Sequence, residues 1–228
     1  MNPLLMPVVA VQGTWIRTTL KMASPATGPT SGTVGEGSGP PLRIAILGES
    51  TAAGCGVDTH DDGFPGCLAR ELAVRTQRSV SWEVAGQFGA TARRIRYRLL
   101  PRLGERLDVA VLLAGANDVF TRRTPEQWRD NLVAILDSLT DRADDVVMSG
   151  LPPFAAFPSL PTALGRYLAE RAAALDEVSR QVCAEAPRTT WIGIPEVPIP
   201  NFFGHDRFHP SAAGYRSWAL AIADHIAR

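Results

Sequence analysis

Two short segments of this chain are apolar at almost every position, residues 43–48 (RIAILG) and 108–114 (DVAVLLA). A strand with one buried face alternates apolar and polar residues, whereas a strand apolar throughout is buried on both faces. Both faces of a sheet are covered when helices pack across it as the crossovers between parallel strands. The rest of the chain supplies those parts. Further strands are expected at 79–85, 144–149 and 189–193, and helices at 64–77, 90–103, 125–140, 162–186 and 212–227. Thr124, Pro125, Glu126 and Gln127 read as an N-cap, a proline at the first helical position and an early acid. The alternation predicts a doubly wound α/β fold of about five strands, without internal repeats.

Composition sets the limits of the domain. Residues 23–41 (ASPATGPTSGTVGEGSGPP) are rich in Gly, Ser, Thr and Pro and read as a flexible linker. The folded domain is therefore expected over 42–228, long enough for one sizeable core. Residues 1–22 form a separate apolar to amphipathic segment. Its run PLLMPVVAV is far shorter than the roughly 20 residues of a membrane span. It also lacks the basic start and the cleavage site of a secretory signal. Trp15, Arg17 and Lys21 make peripheral membrane contact through residues 3–21 one reading. Packing against the domain, or mobility, is the other. The expected location is the cytoplasm, in places at the membrane surface, with export left open.

Lys plus Arg and Asp plus Glu each number 23, so no basic surplus argues for a nucleic-acid partner. Cys55, Cys67 and Cys183 show neither metal-ligand spacing nor a disulfide framework, and read as buried free thiols. Cys55 and Cys67 would pair only in an exported protein. The arginines of 93–102 (RRIRYRLLPR) read as a solvated helix face. His60 and His225 read as surface residues.

In doubly wound sheets, reactive groups gather beyond the carboxyl ends of the strands. Four expected strand ends carry glycine or polar groups: Gly48-Glu49-Ser50, Gly86-Gln87-Phe88-Gly89, Gly115-Ala116-Asn117-Asp118, and Asp206-Arg207-Phe208-His209-Pro210 after the last strand. A serine hydroxyl becomes a strong nucleophile when a base takes its proton and an acid orients that base. Asp206 and His209, three residues apart in a turn, supply such a pair, which leaves the far ring nitrogen for Ser50. The amides of Ser50 and Gly89 and the side chain of Asn117 are candidate donors to an oxyanion. His205 and His209 invite a zinc reading, but the prolines and glycine around them interrupt any helix and no third ligand presents itself. Neither metal nor cofactor is expected.

These blocks, GES at 48–50, GQFGAT at 86–91, GAND at 115–118 and DRFH at 206–209, resemble in order those of the SGNH hydrolases, the GDSL esterase/lipase family. The resemblance covers residues 42–228. It implies a flavodoxin-like three-layer α/β/α sandwich with a five-stranded parallel sheet in the order 2-1-3-4-5. It also implies ester hydrolysis through an acyl-enzyme on Ser50, with His209 as base, Asp206 as its support, and Ser50, Gly89 and Asn117 at the oxyanion. Two departures stand out. Glu49 occupies the place of the family's usual Asp, and its longer side chain must find room. Gly86 competes with Gly89 as the oxyanion glycine, and Gly89 fits better because ATA leads on into a helix. Phe154 and Phe157 in the proline-broken loop 150–161, with Phe202 and Phe203, are candidates for an apolar wall around an acyl chain. The expected substrate is a small-molecule ester or an acylated lipid or glycan. The same residues would also serve acyl transfer or carbohydrate O-deacetylation, and a non-catalytic lipid- or glycan-binding module is the alternative of a different class.

Overall fold

The computed structural model describes residues 3–37, 39–195 and 199–227. Residues 1 and 2 of the segment 1–22, residue 38 of 23–41, and residues 196–198 and 228 of 42–228 lie outside them. Six strands form one sheet: β1 (Ser31–Val34), β2 (Leu42–Gly48), β3 (Val80–Gly86), β4 (Leu107–Leu113), β5 (Ala143–Ser149) and β6 (Thr189–Ile192). Their spatial order is β1-β3-β2-β4-β5-β6. β2 to β6 are all parallel, and among themselves follow the expected order 2-1-3-4-5.

Apolar residues on both strand faces explain the layers. Ala45 and Leu47 of β2, with Ala110 and Leu112 of β4, face one core; Ile44, Ile46, Val109 and Val111 face the other. α2 (Phe64–Thr76) and α7 (Ala212–Ile226) cover the second core, and Phe64 meets Trp218 edge-on between them. α5 (Pro125–Thr140) and α6 (Thr162–Glu185) cover the first, with Trp128 buried and its indole donating to Ser179 Oγ at 3.0 Å. Thr124 and Gln127 close a full capping box on α5.

Three features differ from the sequence reading, and the N-terminal segment follows one of its two readings, packing against the domain. The segment read as a linker is tied into the domain: β1 pairs antiparallel with β3, and Ala26 N donates to Ala53 O at 2.9 Å. Backbone ladders do not need apolar side chains, so a Gly/Ser/Thr-rich edge strand carries little pattern. Residues 6–19 form a helix, α1 (Met6–Thr19), packed on α6, where Gln12 Oε1 accepts from Leu164 N at 2.9 Å. The single helix expected at 90–103 is three short pieces, α3 (Ala92–Arg94), a π turn (Ile95–Leu99) and a 3-10 turn (Leu100–Arg102). Pro101 lacks the amide that would continue an α-helical ladder there. His60 is buried, and that burial lowers its pKa. All three cysteines are buried and free.

Candidate active site

β2 stops at Gly48, and Glu49–Gly56 turns tightly instead of entering a helix at once. Ala53 N returns to Glu49 O at 2.9 Å and Cys55 N to Ser50 O at 3.0 Å. Gly56 closes this turn against the C-terminal loop. Its φ is +103°, and a Cβ there would come within 2.2 Å of Pro210 O, so a side chain would push the two loops apart. The Tyr215 hydroxyl, from α7, donates to Cys55 O at 2.7 Å.

The loop carrying Asp206 and His209 is pinned at its base, where Gly204 N donates to His209 O and Ser211 N to Phe202 O, both at 2.8 Å. Inside it, Arg207 adopts φ +56°, and Asp206 Oδ1 accepts from the amides of Phe208 and His209 at 2.9 Å each. Asp206 Oδ2 lies 2.7 Å from His209 Nδ1, and His209 Nε2 lies 3.0 Å from Ser50 Oγ. Burial works to raise the pKa of Asp206. The His209 ring and the amides of Ala23, His209 and Phe208 outweigh it, and hold the carboxyl well below the usual carboxylate range. An ionised Asp206 only accepts, so the proton on the ring sits at Nδ1 and leaves Nε2 free to accept from Ser50.

One of those donors comes from the segment read as a linker: Ala23 N reaches Asp206 Oδ2 at 2.9 Å, and Ala23 is buried. A backbone amide acts whatever its side chain, so composition alone does not reveal it.

On the other side of Ser50, Gly89 follows β3 with φ +72°, and open space surrounds the place where its Cβ would be. At Gly86 a Cβ would meet Ala53 N at 2.5 Å, so that glycine serves the packing of the Ser50 turn. Among the described residues, the amides of Ser50 and Gly89 make no backbone hydrogen bond. Asn117 lies in the first turn of the short helix α4 (Ala116–Phe120), beyond the end of β4. Ser50, Gly89, Asn117 and His209 all line one crevice of about 920 Å³.

Glu49 finds its room inside the protein. It is buried and reaches across to the turn after β4. Its carboxyl accepts from Ala116 N at 3.1 Å, Asn117 N at 3.1 Å and Asn117 Nδ2 at 2.7 Å. Burial dominates these hydrogen bonds and pushes its pKa up to about 7. Glu49 thus fixes which way the Asn117 amide faces, while the second Nδ2 hydrogen stays available for another acceptor. Asp118 does not line the crevice; it accepts from Ala92 N at 2.8 Å, anchoring the segment after Gly89, and burial raises its pKa to about 6.

Phe154, Phe157, Phe202 and Phe203 meet in one aromatic cluster with Phe208 and Phe120. The first four and Phe208 line a narrow pocket of about 60 Å³ that also opens on Ser50 and His209. The broad crevice lies elsewhere, walled by α1, Phe88, Phe120 and α6. His205 is exposed and lines neither cavity. No group of three or more His, Cys, Asp or Glu able to hold a metal occurs among the described residues.

The model of the GDSL-like Lipase/Acylhydrolase family matches residues 46–217. A GDSL-like esterase of Mycobacterium tuberculosis is 26% identical over 224 residues, covering 90% of this chain and 71% of its own. A G-D-S-L family protein from Desulfitobacterium hafniense superimposes with a TM-score of 0.64 at 13% identity, over 80% of this chain and 98% of its own. A lipase/acylhydrolase from Enterococcus faecalis gives 0.60 at 22% identity, over 81% and 95%.

Proposed function

Because the chain belongs to the GDSL-like lipase/acylhydrolase family of carboxylic ester hydrolases, we propose that it is a serine esterase working through Ser50, His209 and Asp206. Ser50 Oγ attacks the ester carbonyl carbon as its proton passes to His209 Nε2. The carbonyl oxygen becomes an oxyanion held by the amides of Ser50 and Gly89 and by Asn117 Nδ2, donors that gain most where charge develops. As the intermediate collapses, Nε2 returns the proton to the departing alcohol, and the acyl group stays on Ser50. Water then attacks the acyl-enzyme, gives a proton to Nε2 and releases the carboxylic acid, and Ser50 recovers its hydrogen. Asp206 stays ionised throughout, orienting the ring and stabilising its charged form.

The observation that carries this reading is the continuous link from Asp206 through His209 to Ser50, at 2.7 and 3.0 Å, with Ser50 and His209 lining an apolar crevice. The two cavities favour an ester with unequal arms, a long apolar one in the crevice and a short one against the phenylalanines. The test is hydrolysis of p-nitrophenyl esters from acetate to palmitate by wild type and Ser50→Ala. Turnover by the wild type that vanishes in the variant supports the proposal. Full turnover by Ser50→Ala would refute it.

A further inference from the structure

We propose that α1 docks the protein onto an anionic lipid bilayer. The helix has two apolar faces. Val9, Ile16 and Leu20 turn toward the domain, which is the ordinary amphipathic arrangement. Val8, Val11 and Trp15, at spacings that place them on one face, turn the opposite way into solvent, with Val11 70% and Trp15 55% exposed. Among the described residues, twelve large apolar or aromatic side chains are exposed. Seven lie within residues 4–22, and two more, Phe88 and Phe120, wall the crevice itself. Such concentration in one place marks an interaction surface.

Charge selects the occupant. Residues 1–22 carry Arg17 and Lys21 and no acidic residue; the first acid of the chain is Glu36. Both cations are exposed. Arg17 and Arg122 line the crevice, and no Asp or Glu lines it with them. An apolar helix face carrying a tryptophan, flanked by basic residues, suits the boundary between acyl chains and anionic headgroups. No helix among the described residues is long and apolar enough to cross a membrane, so this contact lies in the plane of the surface. Docking would hold α1, one wall of the crevice, at the membrane surface.

The test is co-sedimentation of the full chain with phosphatidylcholine vesicles, with and without phosphatidylglycerol. Binding to the phosphatidylglycerol vesicles that weakens with added salt is expected. The double substitution Val11→Glu with Trp15→Glu should weaken it by about tenfold or more, with melting temperature and p-nitrophenyl acetate turnover unchanged. Independently of that variant, Trp15 emission, isolated as wild type minus Trp15→Phe, should shift to the blue on adding the same vesicles. Absence of vesicle binding, equal binding by the double variant, or indifference to phosphatidylglycerol would overturn the proposal. So would self-association of the wild type that the double variant abolishes without any vesicle binding. Because sedimentation needs no turnover, failure here is distinct from failure of the esterase reading.

Discussion

Two buried carboxylates flank Ser50, and the protein treats them in opposite ways. Asp206 is met by four donors, the His209 ring and three amides, and stays ionised. Glu49 is met by three, from Ala116 and Asn117, yet its pKa rises to about 7 because burial is the larger effect. The lesson is that donor count alone does not set a carboxylate's charge; depth and a basic partner decide it. The two sides divide the labour accordingly. In the proposed mechanism the Asp206 side needs permanent negative charge to support an imidazolium. The Glu49 side needs an acceptor that aims Asn117, and a second full negative charge beside a developing oxyanion would work against catalysis.

The largest effects are expected on the Asp206 side. His209→Ala removes the base and should lower kcat by about 10³-fold or more. Asp206→Asn should cost a comparable factor, since an amide in its place no longer enforces the ring tautomer. A kcat within a few fold of wild type for either would break the comparison at its stronger limb. On the other side, Asn117→Ala should lower kcat by about 10²- to 10³-fold with little change in KM, the signature of a contact made in the transition state. A change confined to KM would place Asn117 in substrate binding instead.

Stability against pH sharpens the contrast. Glu49 has its pKa raised on folding, so the unfolded chain loses that proton first, and stability falls as pH rises from about 4.5 to about 7. The full effect is about 3 kcal/mol. Asp118, raised to about 6, acts in the same direction. Asp206 acts oppositely: its lowered pKa gives stability that is present above the ordinary Asp range and lost in acid. Melting curves of wild type and Glu49→Gln from pH 4 to 9 isolate the Glu49 part. The difference between them should change through pH 4.5–7 and stay flat above it; a constant difference would place Glu49 at an ordinary pKa. The smallest effect is expected from Phe88→Ala in the crevice wall, a rise of a few fold in KM for long-chain esters and none for acetate.

The edge that brings Ser50, His209 and Asp206 together was legible because these groups are side chains at strand ends. The apolar runs at 43–48 and 108–114 located β2 and β4, and the polar groups after them therefore fell on one edge of the sheet. What escaped was carried by backbone or by unusual patterning. The donation of Ala23 N to Asp206 leaves no trace in residue type. β1 is a strand of small residues held by a ladder. α1 was obscured because both its faces are apolar, so it lacks the one-sided periodicity that announces a surface helix. The place of Glu49 was readable as a departure, and only the fold reveals its bond to Asn117.

The central claim is that Ser50 is the nucleophile, activated by His209. Labelling with a fluorophosphonate, followed by peptide mass mapping, tests it most directly. The account predicts one adduct, on Ser50, formed much more slowly in His209→Ala and absent in Ser50→Ala. An adduct on another residue, or none on Ser50 in a folded protein that hydrolyses p-nitrophenyl esters, would contradict it.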